Sequence, residues 1–251
     1  MFQYSFTELV IYFFLYSVLG FFCEVIYCSI IQRKLVNRGF FYGPYCPIYG
    51  FGSIFVLIFV EPYFQNPLVL FVASIILTSI LEYFASWILE KIFDMTWWDY
   101  SHMKFNINGR VCLLNSILFG ILSLLLVYII NPFVSTYIDA ISYASKRLIS
   151  SVLLLSFSID FIFSVNALIN LEKYLQEIYN VMANLSSYSK KYSFIDLDNI
   201  KESLRKLKSV SEGKRDSQLN DFIKNFETLA EKKNTNFRLL KSYPSLRHTS
   251  L

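Results

Sequence analysis

The chain has 251 residues, 55% of them hydrophobic and 18% aromatic, with a net charge of +4. Residues 1–170 hold eight Lys/Arg and nine Asp/Glu and residues 171–251 hold fifteen and ten, so the positive balance belongs to the tail. No basic cluster interleaved with stacking aromatics stands out, which argues against a nucleic-acid partner. Apolar runs long enough to cross a lipid bilayer, roughly 20 residues each, recur through residues 1–170.

The first run, from about Phe6 to Ile31, follows a start (MFQYSFTELVIYFF) with neither a basic leader nor a small-residue cleavage site, and reads as a retained membrane anchor. Gly20 and Glu24 share one face of it. The next stretch, Asn37 to Gly50, reads NRGFFYGPYCPIYG. Pro44 and Pro47 remove backbone donors, while Gly39, Gly43 and Gly50 open backbone angles closed to other residues. Such a break is tolerated at membrane depth only under protein or in a water-filled cavity. The second span, Ile48 to Val60, has only 13 uninterrupted residues, and adding Phe40 to Pro47 restores its length. It therefore reads as a broken or re-entrant crossing with Arg38 at its mouth.

Spans three to five run over about Pro67–Leu89, Val111–Ile130 and Leu148–Ile169. Between spans three and four, Thr96 to Ser101 combines Trp97 and Trp98 with Asp99. An aromatic belt accounts for the tryptophans, and Asp99 suits a turn cap. Asn108-Gly109 signals a tight turn that brings Arg110 to the first turn of span four. From Leu171 the composition shifts, and Leu171, Tyr174, Leu175, Ile178, Val181, Met182 and Leu185 repeat at helical spacing. Span five then continues as an amphipathic helix to about Ser186–Ser189, with two shorter periodic sets beyond and a disordered end from Tyr243.

The fold class expected is all-α: a polytopic transmembrane bundle of about five spans over residues 1–170, with a helical cytoplasmic tail over 171–251. Basic residues in the loops after spans one and three (Arg33, Lys34, Arg38; Lys91, Lys104, Arg110) put those loops and the tail inside and the amino terminus outside. Lys146 and Arg147, before span five, run against that assignment.

Glu24 and Glu82 are the acids to explain, each roughly 10 Å below the inner surface. A charge there costs about 2–3 kcal/mol, so something compensates. We expect a cytoplasm-facing polar pocket in which they face Arg38 and Arg110, with Asp99 nearby. The alternative is that these are structural ion pairs between helices. Asp160, central in span five, suits hydrogen bonds to serines or Asn166 better than a proton relay. Cys23, Cys28, Cys46 and Cys112 form no CxxC pair and read as buried thiols. Metal, cofactor and catalytic residues are not expected. The sequence lacks GxxxxGK[ST], HExxH and GxSxG, so it holds no phosphate loop, zinc helix or nucleophile elbow of its own.

Four blocks in order carry a resemblance: Phe21-Phe22-Cys23-Glu24, then NRGFFYGPYCPIYGFG, then LEYFASWILEKIFDMTWWDYS, then NINGRVCL. Over about residues 8–130 they resemble the bacterial membrane-protein family labelled putative ABC-transporter type IV permeases, the CmpB-type family. The motif positions map to Glu24, Arg38, Gly39, Gly43, Pro44, Pro47, Gly50, Glu82, Trp98, Asp99, Asn108, Gly109 and Arg110. The resemblance implies a permease-like component of the bacterial cell membrane whose ATPase is a separate chain, with room for a homodimer. The main reading is a transport component. A scaffold recruiting partners through its tail is the alternative, and an intramembrane enzyme stands third.

Overall fold

The computed structural model describes residues 4–33, 39–93, 95–191 and 247–248. Helix α1 spans Phe6–Gln32, α2 Pro47–Phe59 and α3 Pro67–Phe93. A short connection holds β1 (Met95–Thr96), β2 (Asn106–Ile107) and β3 (Val111–Cys112). Helix α4, Leu113–Leu125, passes through a π-helical turn, Leu126–Ile130, into α5, Asn131–Asp139. Helix α6 runs over Tyr143–Lys191, and Arg247–His248 forms β4. By contact the described residues fall into two units divided between Ser164 and Val165.

Among the described residues four helical stretches are long and apolar enough to cross a membrane: Phe6–Ile30, Pro67–Phe93, Leu113–Asp139 and Tyr143–Asn170. Helix α2 is the short apolar one, preceded by irregular backbone, as its interrupted sequence requires. The third stretch, Leu113–Asp139, is longer than its apolar run implies because the helix continues past Ile130. Pro132 cannot donate, and the π turn just before it takes up the mismatch. Helix α6 continues to Lys191, as the periodicity predicts. The two later periodic sets lie outside the described residues. Within the stretch from Tyr243 expected to be disordered, Arg247 and His248 pair with Thr96 and Met95, a departure from that expectation.

Start signals match the chemistry. Ser5 and Glu8 form a reciprocal capping box at α1. The Asn66 side chain accepts the Leu68 N–H at 2.9 Å ahead of Pro67. Large apolar side chains, among them Ile30, Leu68, Leu155 and Phe163, stay exposed, whereas Ser17, Ser74, Ser116, Ser123 and Ser164 are buried. That inversion is expected where lipid covers the outside and small residues let helices approach.

One apolar cluster joins Ile11, Tyr12 and Tyr16 of α1 to Val56, Leu57 and Val60, Leu70, Leu126 and Ile138. The end of α2, the start of α3 and the π turn therefore meet at the amino-terminal half of α1, and α1 and α2 run in opposite directions. Tyr16 donates to Asn131 at 2.8 Å in this region. Lys146, buried at the start of α6, pairs with Glu8 at 2.6 Å. At the opposite end the β2–β3 hairpin turns through Asn108 and Gly109, both at positive φ (52° and 67°), the geometry that Asn-Gly favours.

Candidate functional site

Helices α1 and α2 touch where side chains are smallest. A Cβ on Gly50 would lie 2.2 Å from Ser17 Oγ and 2.6 Å from the Phe13 carbonyl, and one on Gly20 would lie 2.3 Å from Tyr49. Gly20 thus makes the space in which the Tyr49 ring lies against α1. One turn further along, the Tyr49 phenol donates to Glu24 Oε2 at 2.7 Å, and the Cys28 thiol donates to Oε1 at 3.4 Å.

On α3 the buried positions are Leu70, Ser74, Thr78, Glu82 and Ser86, a row with a step of four. The neighbouring row, Phe71, Ile75 and Ser79, meets α4, where Ser116, Gly120 and Ser123 are buried and Ser79 donates to Ser116 at 2.8 Å. Between α2, α3 and α4 lies an open cleft with a cavity of about 60 Å³, with Tyr49, Gly52, Thr78, Leu81, Glu82 and Phe119 among its lining. Glu82 is only 4% exposed, and its Oε2 is buried with no hydrogen-bond partner among the described residues. Leaving a buried acceptor unmatched costs about 1–3 kcal/mol, more when it is charged.

From the hairpin connection Tyr100 meets both acids. Its pKa is raised, first by burial and then by the Glu82 and Glu24 carboxylates, and Glu82 is also its hydrogen-bond partner. The phenol therefore stays protonated and serves as a donor throughout the ordinary pH range. Its own N–H is held by the Gly109 carbonyl at 2.8 Å. Glu24, Tyr49, Glu82 and Tyr100 thus form one polar group at the hairpin end of the cleft.

Arg110, expected beside Glu82, is paired elsewhere. It binds Glu90 at 2.5 Å, reaches Ser86 Oγ at 3.3 Å and lies 5.7 Å from the Tyr83 ring centre. The reason is axial: the hairpin delivers Arg110 to the level of Ser86 and Glu90, and Glu90 lies about 12 Å along α3 from Glu82. Arg38 lies outside the described residues. Asp99 is exposed and accepts the Ser101 N–H at 2.8 Å, the turn role its position suggests. Trp98 donates to the Arg110 carbonyl at 2.9 Å, and Asn108 donates to the Tyr83 hydroxyl at 3.0 Å. These residues build the hairpin and seat it on α3.

The broken segment has an anchor whose partners the sequence did not foretell. Asp160 of α6 accepts the N–H groups of Tyr42 at 2.9 Å and Gly43 at 2.7 Å, together with the hydroxyls of Tyr45 and Ser164. Of the two alternatives read for Asp160, hydrogen bonding to a serine is the one seen, and the larger share goes to backbone. Cys46 N–H adds a bond to the Ser17 carbonyl at 2.9 Å. Donors freed by Gly43 and Pro44 are thus met by protein, as membrane depth demands. Gly39 is buried in this segment, Pro44 is exposed, and Pro47 occupies the first position of α2, where its missing N–H costs nothing.

No group of three or more His, Cys, Asp or Glu suited to a metal ion occurs among the described residues. A family model described as putative ABC-transporter type IV matches residues 11–165, more than half of the chain. No curated protein matches, and no solved structure does.

Proposed function

Since the chain belongs to the family described as putative ABC-transporter type IV, we propose that it is the membrane component of a transporter whose ATPase is a separate chain. The cleft at Glu82 is where its substrate is handled. One observation carries this reading: a carboxylate oxygen buried in an apolar bundle, without a partner, on the wall of a cleft. A residue so placed is costly to keep unless it meets something that passes through. Tyr100 and Tyr49 position the two acids, and Asp160 holds the irregular half of the broken crossing.

The amino terminus lies outside, with the hairpin and tail on the cytoplasmic side of a bacterial plasma membrane. Lys146, which opposes this on a simple count, is buried against Glu8. With Arg147 it makes two basic residues on that side, against six in the loops after spans one and three. The ATPase docks at the hairpin end. A scaffold role through the tail is the second reading. It is favoured by the 49 residues of α6, about 74 Å of helix, more than twice a bilayer core.

The test is affinity purification of the full chain from its native membrane, with mass spectrometry and an ATP-hydrolysis assay. A co-purifying nucleotide-hydrolysing chain is expected. Partners without one would replace the transport reading by the scaffold.

A further inference from the structure

We propose that the Glu82 cleft takes an amphiphilic organic cation, an ammonium group attached to an apolar or aromatic body. This assignment rests on the transport reading for its purpose, but its argument comes from the lining alone.

Most of the polar side-chain atoms of the cleft are acceptors. Glu82 Oε2 is buried and has no donor among the described residues. Thr78 Oγ1 gives its proton to the Ser74 carbonyl at 2.7 Å, and Ser123 Oγ gives its own to the Phe119 carbonyl at 2.8 Å. The Tyr49 phenol spends its proton on Glu24. These three hydroxyls have only lone pairs left for a ligand; Ser53, the fourth hydroxyl of the lining, can donate as well as accept. Among the described residues no Lys, Arg or His lines the cleft. A carboxylate with mostly lone pairs beside it repels anions and offers a neutral acceptor at most the Ser53 hydroxyl, whereas an ammonium group supplies three donors and the opposite charge.

The remaining lining is apolar, from Val56, Leu81, Leu122 and Leu126, with the Phe119 and Tyr49 rings beside it. It suits a hydrocarbon or aromatic body, and the ring faces add attraction for a cation. A small hard metal ion fits less well, since it favours several anionic or carbonyl oxygens, and among the described residues no group of three or more His, Cys, Asp or Glu occurs to hold one. Gly52 keeps the space open: a Cβ built there meets nothing within 4 Å.

The experiment measures binding of dansylcadaverine, a fluorescent primary ammonium with an aromatic body, to the purified full chain in lipid nanodiscs. Its neutral analogue lacking the amine is measured in parallel. Saturable binding is expected, weakened at least tenfold by Glu82→Gln. Gly52→Leu, which fills the cleft and leaves the carboxylate in place, weakens it to a similar extent and carries the test if Glu82→Gln does not fold. The neutral analogue binds wild type and Glu82→Gln alike, and more weakly than the amine binds wild type. Unchanged binding in either folded variant, or equally tight binding of the neutral analogue, overturns the assignment. Ammonium binding without a co-purifying ATPase removes the transport reading and keeps the cation site. A co-purifying ATPase without ammonium binding removes the cation site alone.

Discussion

Replacing Asp160 by Asn should release the irregular segment from α6 while leaving the rest of the bundle intact. Oδ1 accepts from Tyr42 N–H and Ser164, and Oδ2 accepts from Gly43 N–H and Tyr45. An amide keeps one of these oxygens and puts an NH₂ group where the other stood. The facing hydroxyl can turn and accept from it, but the facing backbone N–H cannot. Whichever way the Asn lies, one backbone donor is orphaned and the other bonds lose their charge. Charged hydrogen bonds contribute about 1.5–3 kcal/mol each and an orphaned donor costs about 1–3, so a loss of about 2–4 kcal/mol is reasonable. If amides 39–46 exchange by local opening, that loss speeds exchange roughly 30- to 700-fold. Hydrogen–deuterium exchange with mass spectrometry in nanodiscs reads this directly, with peptides around Tyr16 and Asn131 as the internal reference. Equal exchange of the 39–46 peptides in variant and wild type would refute the idea that Asp160 holds this segment.

Gly50→Val should lower the melting temperature in detergent by forcing α1 and α2 apart, an overpacking cost of about 1–3 kcal/mol. Gly52→Ala, with nothing near its Cβ, should hold or raise it. Lys146→Met should destabilise by about 1–3 kcal/mol, because it strands Glu8 in a part-buried site; adding Glu8→Gln should recover most of that loss. Glu61, in the turn after α2, has its pKa raised by burial above the usual 4.5. The folded state then holds this proton more tightly than the unfolded one. Its contribution is present at low pH and is lost as pH rises from the usual value through the raised one. Glu61→Gln should flatten the melting temperature across that window, and an unaltered slope would contradict the assignment.

The crossings were legible because bilayer length and hydropathy leave few alternatives for Phe6–Gln32 or Pro67–Phe93. The break before α2 was legible because Gly43, Pro44 and Pro47 forbid a continuous helix. Asn108-Gly109 declared its turn for the same kind of reason, since few other pairs tolerate two positive φ angles. What holds these pieces together was harder to see. Partners such as Tyr42 and Asp160 lie 118 residues apart, and no local pattern couples them. The Arg110 assignment failed on register: charge pairing was read from depth alone, and eight residues of α3 separate the expected partner from the actual one. A usable signal was present in Ser74, Thr78, Glu82, Ser86 and Glu90, five polar residues spaced by four inside an apolar run. That spacing marks one helix face and aims Glu82 inward. Tyr49 and Tyr100 had no comparable signal in a chain with eighteen tyrosines.

The most direct measurement compares a strain deleted for this protein after it receives wild type, Glu82→Gln or Glu90→Gln at equal membrane abundance. If the cleft is the working site, Glu82→Gln leaves the deletion phenotype in place, while Glu90→Gln, which touches only the Arg110 ion pair, restores most of the wild-type behaviour. Full rescue by Glu82→Gln would mean that the buried carboxylate has no part in what the protein does.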